Sequence, residues 1–192
     1  MSILHAVTAH GSDTLRDVLA ALRAEEGLGD ETDDSKWVWI KLGPIPFAYP
    51  NTRGRKSALA AHDLHHALAG YGTGLVGEAE LAAWELGSGL SEKSHVRYAI
   101  RVFGFLVPWH WSRLRHAFVR GAHCRNLTHA KLDEAMLARS VAEMRAELGL
   151  TEPPPEARPE DLRSFRRWAA KGIALVWGPL LPLGLVLWWW LG

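Results

Sequence analysis

A single cysteine, Cys124, stands in the whole chain, so no disulfide can form within it. That usage fits a reducing, cytoplasmic setting. Net charge is scarce too. It is +1 over 192 residues, which gives no global reason to bind nucleic acid. Met1 to His10 has neither a basic stretch nor a long apolar run, so it does not read as a secretory signal. The last 21 residues, Gly172 to Gly192, carry no charge at all. What the chain does have is apolar content: 48% hydrophobic residues, enough for a sizeable core. The length allows one domain of ordinary size plus an appendage.

The most informative stretch is His62-Asp63-Leu64-His65-His66, followed by Glu78. On a helix with about 100° per residue, His66 lies about 40° from His62 and Asp63 about 100° from it. His65 lies about 60° to the other side. His62 and His66 are one turn apart, so both rings can reach one ion. The glycines at 70, 72 and 74 end this helix, expected from Lys56 to Ala69. A second helix is expected from Leu75 to Leu86. On it Glu78, Leu81 and Glu85 point one way and Glu80 points away. If the two helices fold back on each other, Glu78 faces the histidine pair. His65 and Glu85 then stand behind the ligands, Glu85 as a supporting or proton-transfer group. The candidate ligands are His62, Asp63, His66 and Glu78.

Two imidazoles with carboxylates suit a divalent ion. Zinc comes first, with iron, manganese or cobalt also suited. No thiolate is present, which argues against a closed structural zinc site. Carboxylates leave exchangeable positions, as a catalytic metal needs. Glu78 or Asp63 can double as a general base.

These residues match a known pattern. The spacing HDxxH-x11-E, carried by His62, Asp63, His66 and Glu78, resembles the motif of the ubiquinone-biosynthesis family called COQ four. The similarity extends over about Leu15 to Gly149, with a tryptophan-bearing helix after Glu78 and a basic, tryptophan-rich stretch from Trp109 to Leu127. The C-terminal hydrophobic extension departs from the family pattern. The resemblance implies an α-helical protein that sits on membranes and binds a long isoprenoid lipid. It implies metal-dependent oxidative removal of a carboxylate from the quinone head-group precursor, and contact with other enzymes of quinone biosynthesis.

The rest of the chain reads as helices and connections. Ser12 or Asp13 can cap a helix with an apolar stripe at Leu15, Val18, Leu19 and Leu22. The acidic segment Glu25 to Asp34 reads as a solvated loop. Trp37 to Ile40 is a short extended segment before a loop built on Gly43, Pro44, Pro46 and Pro50. Its aromatics Trp37, Trp39, Phe47 and Tyr49 can wall a lipid pocket or simply fill the core. From Ser91 to Lys131 there are eight Lys or Arg residues, one acid and five histidines. Arg113, Arg120 and Arg125 are candidates for an anionic head group. His95, His110, His116, His123 and His129 share no ligand spacing. Thr128 is expected to cap one helix running to Leu148.

The expected organisation is therefore an all-α domain over residues 1–150, a proline-rich linker over 151–160, and a basic flank with a membrane anchor over 161–192. As a helix, Gly172 to Gly192 would span roughly 30 Å, the hydrocarbon thickness of a bilayer. The basic flank predicts that the domain stays on the cytoplasmic side. Three functions fit: a metalloprotein acting on a quinone-type or related isoprenoid lipid, a non-catalytic lipid-binding scaffold with a structural metal, or a membrane di-iron oxygenase.

Overall fold

The computed structural model of the chain describes residues 10–25, 37–42, 45–50, 53–90, 93–150, 153–180, 182 and 189–190. Among these, the architecture is helical with one short β-hairpin. Helix α1 spans Leu15–Glu25, and strands β1 and β2 span Trp37–Leu42 and Ile45–Pro50. Helix α2 spans Arg53–Ala69, α3 Leu75–Gly87, α4 Lys93–Leu106 and α5 Trp111–Ala122. Two short helices follow, α6 over Glu134–Leu137 and α7 over Val141–Leu148. Helix α8, Pro159–Trp177, is the longest.

Helix α3 is the axis of the molecule. Its residues Ala79 and Leu81 to Leu86 are buried. It packs most extensively on α5 and α4, while α1 lies against α2. A helix apolar on nearly every side belongs at the centre of a bundle. The α1 stripe Leu15, Val18, Leu19 and Leu22 is buried as its spacing predicts. Its cap is Thr14 rather than Ser12 or Asp13. Thr14 Oγ1 accepts from the Asp17 amide at 3.2 Å while the Asp17 carboxylate accepts from Thr14.

Three sequence expectations change. The loop expected over 43–50 contains the second strand, paired antiparallel with register Trp37↔Pro50 and Leu42↔Ile45. Prolines are tolerated there because a two-stranded ribbon consists only of edges. The single helix from Thr128 to Leu148 is two. Asp133 caps α6, and Ser140 with Glu143 forms a capping box for α7. The break frees the Arg139 carbonyl and the Val141 amide to bond Leu15 and Asp13.

Third, residues 161–171, expected as the basic flank of an appendage, lie on α8, whose Asp161, Phe165 and Ala169 are buried while its basic residues stay exposed. Phe165 and Ala169 are each 1% exposed. Phe165 meets Phe103, Phe118 and Trp111 edge to face, with ring centroids 5.8, 5.7 and 4.8 Å away. Helices α4 and α8 touch at backbone level, because a Cβ on Gly104 would lie 2.4 Å from Gly172. His123 at the end of α5 pairs with Asp161 at 2.9 Å.

No helix among the described residues is long and apolar enough to cross a membrane. Gly172 to Trp177 of the uncharged run continue α8. Residues 181, 183–188 and 191–192 of that run lie outside the described residues, as do residues 1–9 and 26–36. The side chains of Trp37, Trp39, Phe47 and Tyr49 lie outside them too.

Candidate metal centre

The turn between α2 and α3 sets the centre. Gly70 adopts φ +77°, a left-handed conformation that ends α2. The chain then folds back so closely that a Cβ on Gly77 would sit 1.9 Å from the Gly72 carbonyl oxygen. Only glycine permits that approach, and it brings the first turn of α3 beside the last turn of α2. Glu78 follows at once and faces His62 and His66.

One nitrogen of each ring and one Glu78 oxygen lie within 4.8 Å of one another, a group that could hold a metal ion. Ligands about 2.1 Å from an ion stand roughly 3–4 Å apart, so small side-chain adjustments suffice. Glu78 Oε1 is 3.0 Å from His66 Nε2, and Oε2 is 3.3 Å from His62 Nε2. The two rings stand nearly perpendicular, at 86°, with centroids 4.9 Å apart.

The protons can be assigned from the partners. His66 Nδ1 lies 3.0 Å from the Tyr71 carbonyl, which can only accept. Nδ1 therefore carries a proton. His66 Nε2 is buried with no hydrogen-bond partner, although a carboxylate oxygen stands beside it. A cation between them would bind both the nitrogen and the oxygen. His62 shows the same polarity, with Nδ1 3.1 Å from the Glu85 carboxylate and Nε2 toward Glu78. Metal-binding histidines are held this way by a carboxylate or carbonyl behind them.

In the metal-free protein a proton takes the place of the ion. Burial would lower the His62 pKa, but hydrogen bonds and charge from Glu78 and Glu85 lift it to about 10. Burial would raise Glu78, but His62 and His66 bring it down to about 2. Glu85 is likewise held well below the ordinary carboxylate range, by His62 and His65 against its burial. His65 moves the other way, because burial disfavours its charged form.

A stability profile follows. The Glu78 contribution is complete above its ordinary value of 4.5 and is lost as pH falls toward 2. The His62 contribution is complete below 6.5 and is lost as pH rises toward 10. The chelator-treated protein should thus melt highest between 4.5 and 6.5 and lose stability above that window. Protein loaded with zinc should lack this alkaline decline, since the ion replaces the proton. Thermal melts with and without chelator check it, and parallel declines would contradict it.

Asp63, expected as a ligand or base, contributes no atom to the group and has contacts of its own. The helical wheel had put it on one face with His62 and His66, about 100° from His62, but the atoms that converge are those of His62, His66 and Glu78. His65 is buried beside Trp84 and bonds Glu85, so it stands behind the centre. Of the arginines, Arg113 makes a two-point bond to Glu80 at 2.8 Å. Arg120 donates to the Ala69 carbonyl at 2.6 Å and lies over the Tyr71 ring. Arg125 bonds the Glu147 carbonyl, away from the others. A cavity of about 590 Å³ is lined by Tyr71, Glu80, Arg113, Arg115 and Arg120, closed on one side by Pro154 and Pro155. Arg115 joins this lining from the same basic helix; sequence reasoning missed the Tyr71 carbonyl behind His66. Tyr71 acts through its backbone, which side-chain type cannot announce. Its one signal is position, directly after the glycine that ends α2.

No family model, no curated protein and no solved structure matches the chain.

Proposed function

We propose that this chain is a single-ion metalloprotein of the ubiquinone-biosynthesis type, acting on the polar head of a polyprenylated quinone precursor or related isoprenoid lipid. The observation that carries the reading is the buried His66 Nε2, which lacks a hydrogen-bond partner and faces Glu78 at 3.0 Å, with His62 beside it. The spacing of His62, Asp63, His66 and Glu78 supports the family side of it. Two nitrogens and a carboxylate suit zinc, and also iron, manganese or cobalt. An ion bound there would act as a Lewis acid on a head-group carboxylate or carbonyl.

The protein's own groups take defined parts. His62 and His66 bind through Nε2. Glu78 binds with one oxygen and, being about a fifth exposed, can accept a proton with the other. Arg115 and Arg120, in the cavity behind Tyr71, offer positive charge to an anionic substituent.

The membrane side of the proposal rests on the surface. Phe105, Trp109 and Trp177 form a ring cluster, with Trp109 61% exposed, and Trp189 and Trp190 are more exposed still. Arg163, Arg166, Arg167 and Lys171 lie on the same helix as Trp177. Aromatic and basic residues together suit a bilayer interface with anionic lipid. The uncharged C-terminal run would hold the domain there, on the cytoplasmic side and near other enzymes of the same lipid.

A scaffold with a structural metal is favoured by one fact: none of the three candidate ligands lines the cavity. Glu78→Gln separates the two. For an enzyme it should abolish metal-dependent removal of the head-group carboxylate from a polyprenylated quinone precursor while lipid extracted from the purified protein stays unchanged by mass spectrometry. Wild-type protein that carries metal and lipid but converts nothing would leave the scaffold.

A further inference from the structure

We infer that Glu85 and His65 are positioning residues, which fix the tautomer of His62 so that its Nε2 lone pair meets the ion. The inference rests on the metal reading above. The hydrogen bonds run in one direction. The Leu127 amide donates to His65 Nε2 at 2.8 Å. An accepting Nε2 leaves the His65 proton on Nδ1, which donates to Glu85 Oε1 at 2.8 Å. The same oxygen accepts from His62 Nδ1 at 3.1 Å. The final bond leaves Nε2 of His62 as the only nitrogen that can face Glu78.

The chain of bonds is buried. His65 is 1% exposed and Glu85 6%. Glu85 sits on α3 seven residues beyond Glu78, two turns along the same face, so one helix presents both carboxylates to His62. The segment holding Leu127 is tied back to α3, since Asn126 donates to the Ser88 carbonyl at 2.9 Å. Ser88 in turn donates to the Glu85 carbonyl at 3.2 Å. The far end is a backbone amide, whose proton does not exchange along such a chain on a catalytic timescale. Glu85 therefore positions His62 and does not relay protons, and the base role stays with Glu78. The two ligands are held unequally: His62 by an anion, His66 by a neutral carbonyl. A carboxylate behind a ligating imidazole raises its basicity, and its removal costs roughly 10–100-fold in metal affinity.

The test is a zinc titration of the metal-free full-length protein, with a competing chelator, alongside histidine nitrogen NMR of the zinc-loaded protein, in which His62 has lost its second proton. Glu85→Ala should weaken zinc binding roughly 10–100-fold. It should also turn His62 into a mixture of tautomers. Glu85→Gln keeps the shape and an accepting oxygen, and should sit near the lower end of that range, which serves if the alanine variant does not fold. His65→Leu should weaken binding about tenfold. A purely structural role would leave the tautomer untouched. Unchanged affinity and tautomer in the Glu85 and His65 variants, with binding lost in His62→Ala, would overturn this inference and leave the metal reading standing. Unchanged affinity in His62→Ala as well would overturn both.

Discussion

His66→Ala is expected to yield a folded protein with almost no bound metal, its zinc affinity lowered at least about 100-fold. The substitution deletes the buried Nε2 that has no other partner, together with the bond to the Tyr71 carbonyl. Loss of one of three protein ligands leaves too few to hold an ion against water. Each tenfold in affinity is about 1.4 kcal/mol, so the loss amounts to at least about 3 kcal/mol of binding. The fold should survive, because the ring stands at the edge of the core and Leu64 and Leu68 keep α2 seated. Metal analysis with circular dichroism checks it. A folded variant that retains wild-type metal would contradict the ligand assignment.

Ending the chain at Arg158 is expected to unfold the protein, not to release an independent domain. Truncation removes Phe165, which three aromatic rings surround, and Ala169 and Gly172, which seat α8 on α4. Loss of a buried phenylalanine side chain alone costs about 3–5 kcal/mol. Whole domains are stable by only about 5–15 kcal/mol. The truncated chain also exposes Phe103 and Phe118 and breaks the His123–Asp161 pair. Ending instead after Trp177 should preserve a cooperative melt. If the shorter chain melts as sharply and as high as the longer one, α8 is dispensable and this packing account fails.

The candidate metal centre, the convergence of His62, His66 and Glu78, was largely legible in the sequence because its signal is local. His62 and His66 are one turn apart on a single helix, and glycines at 70, 72 and 74 announce a tight return that brings Glu78 back. The wheel also separated Glu85 from Glu80, and in the structure one bonds His62 and the other Arg113. Asp63 shows where such reasoning stops. The wheel put it on the histidine face and the motif included it, but the converging ligand atoms are those of His62, His66 and Glu78.

What was not legible depends on distant partners. The Leu127 amide meets His65 across 62 residues, and no side-chain pattern encodes a backbone donor. Ser140 could have been read as a cap, since Glu143 follows it at capping-box spacing. Leu137, Val141, Met144 and Leu148 fall on one apolar stripe, which read as a single helix and masked it. Helix α8 was misread for a similar reason. Phe165, Ala169 and Gly172 follow a core spacing of four and three. Six charged residues dilute it, and the uncharged run beyond it dominates the composition.

The most direct test is the metal content of the full-length protein purified without chelator. About one divalent ion per chain is expected, removable by chelator and restored by zinc. A folded protein that carries no metal and takes up neither zinc, iron, manganese nor cobalt would contradict the account at its centre.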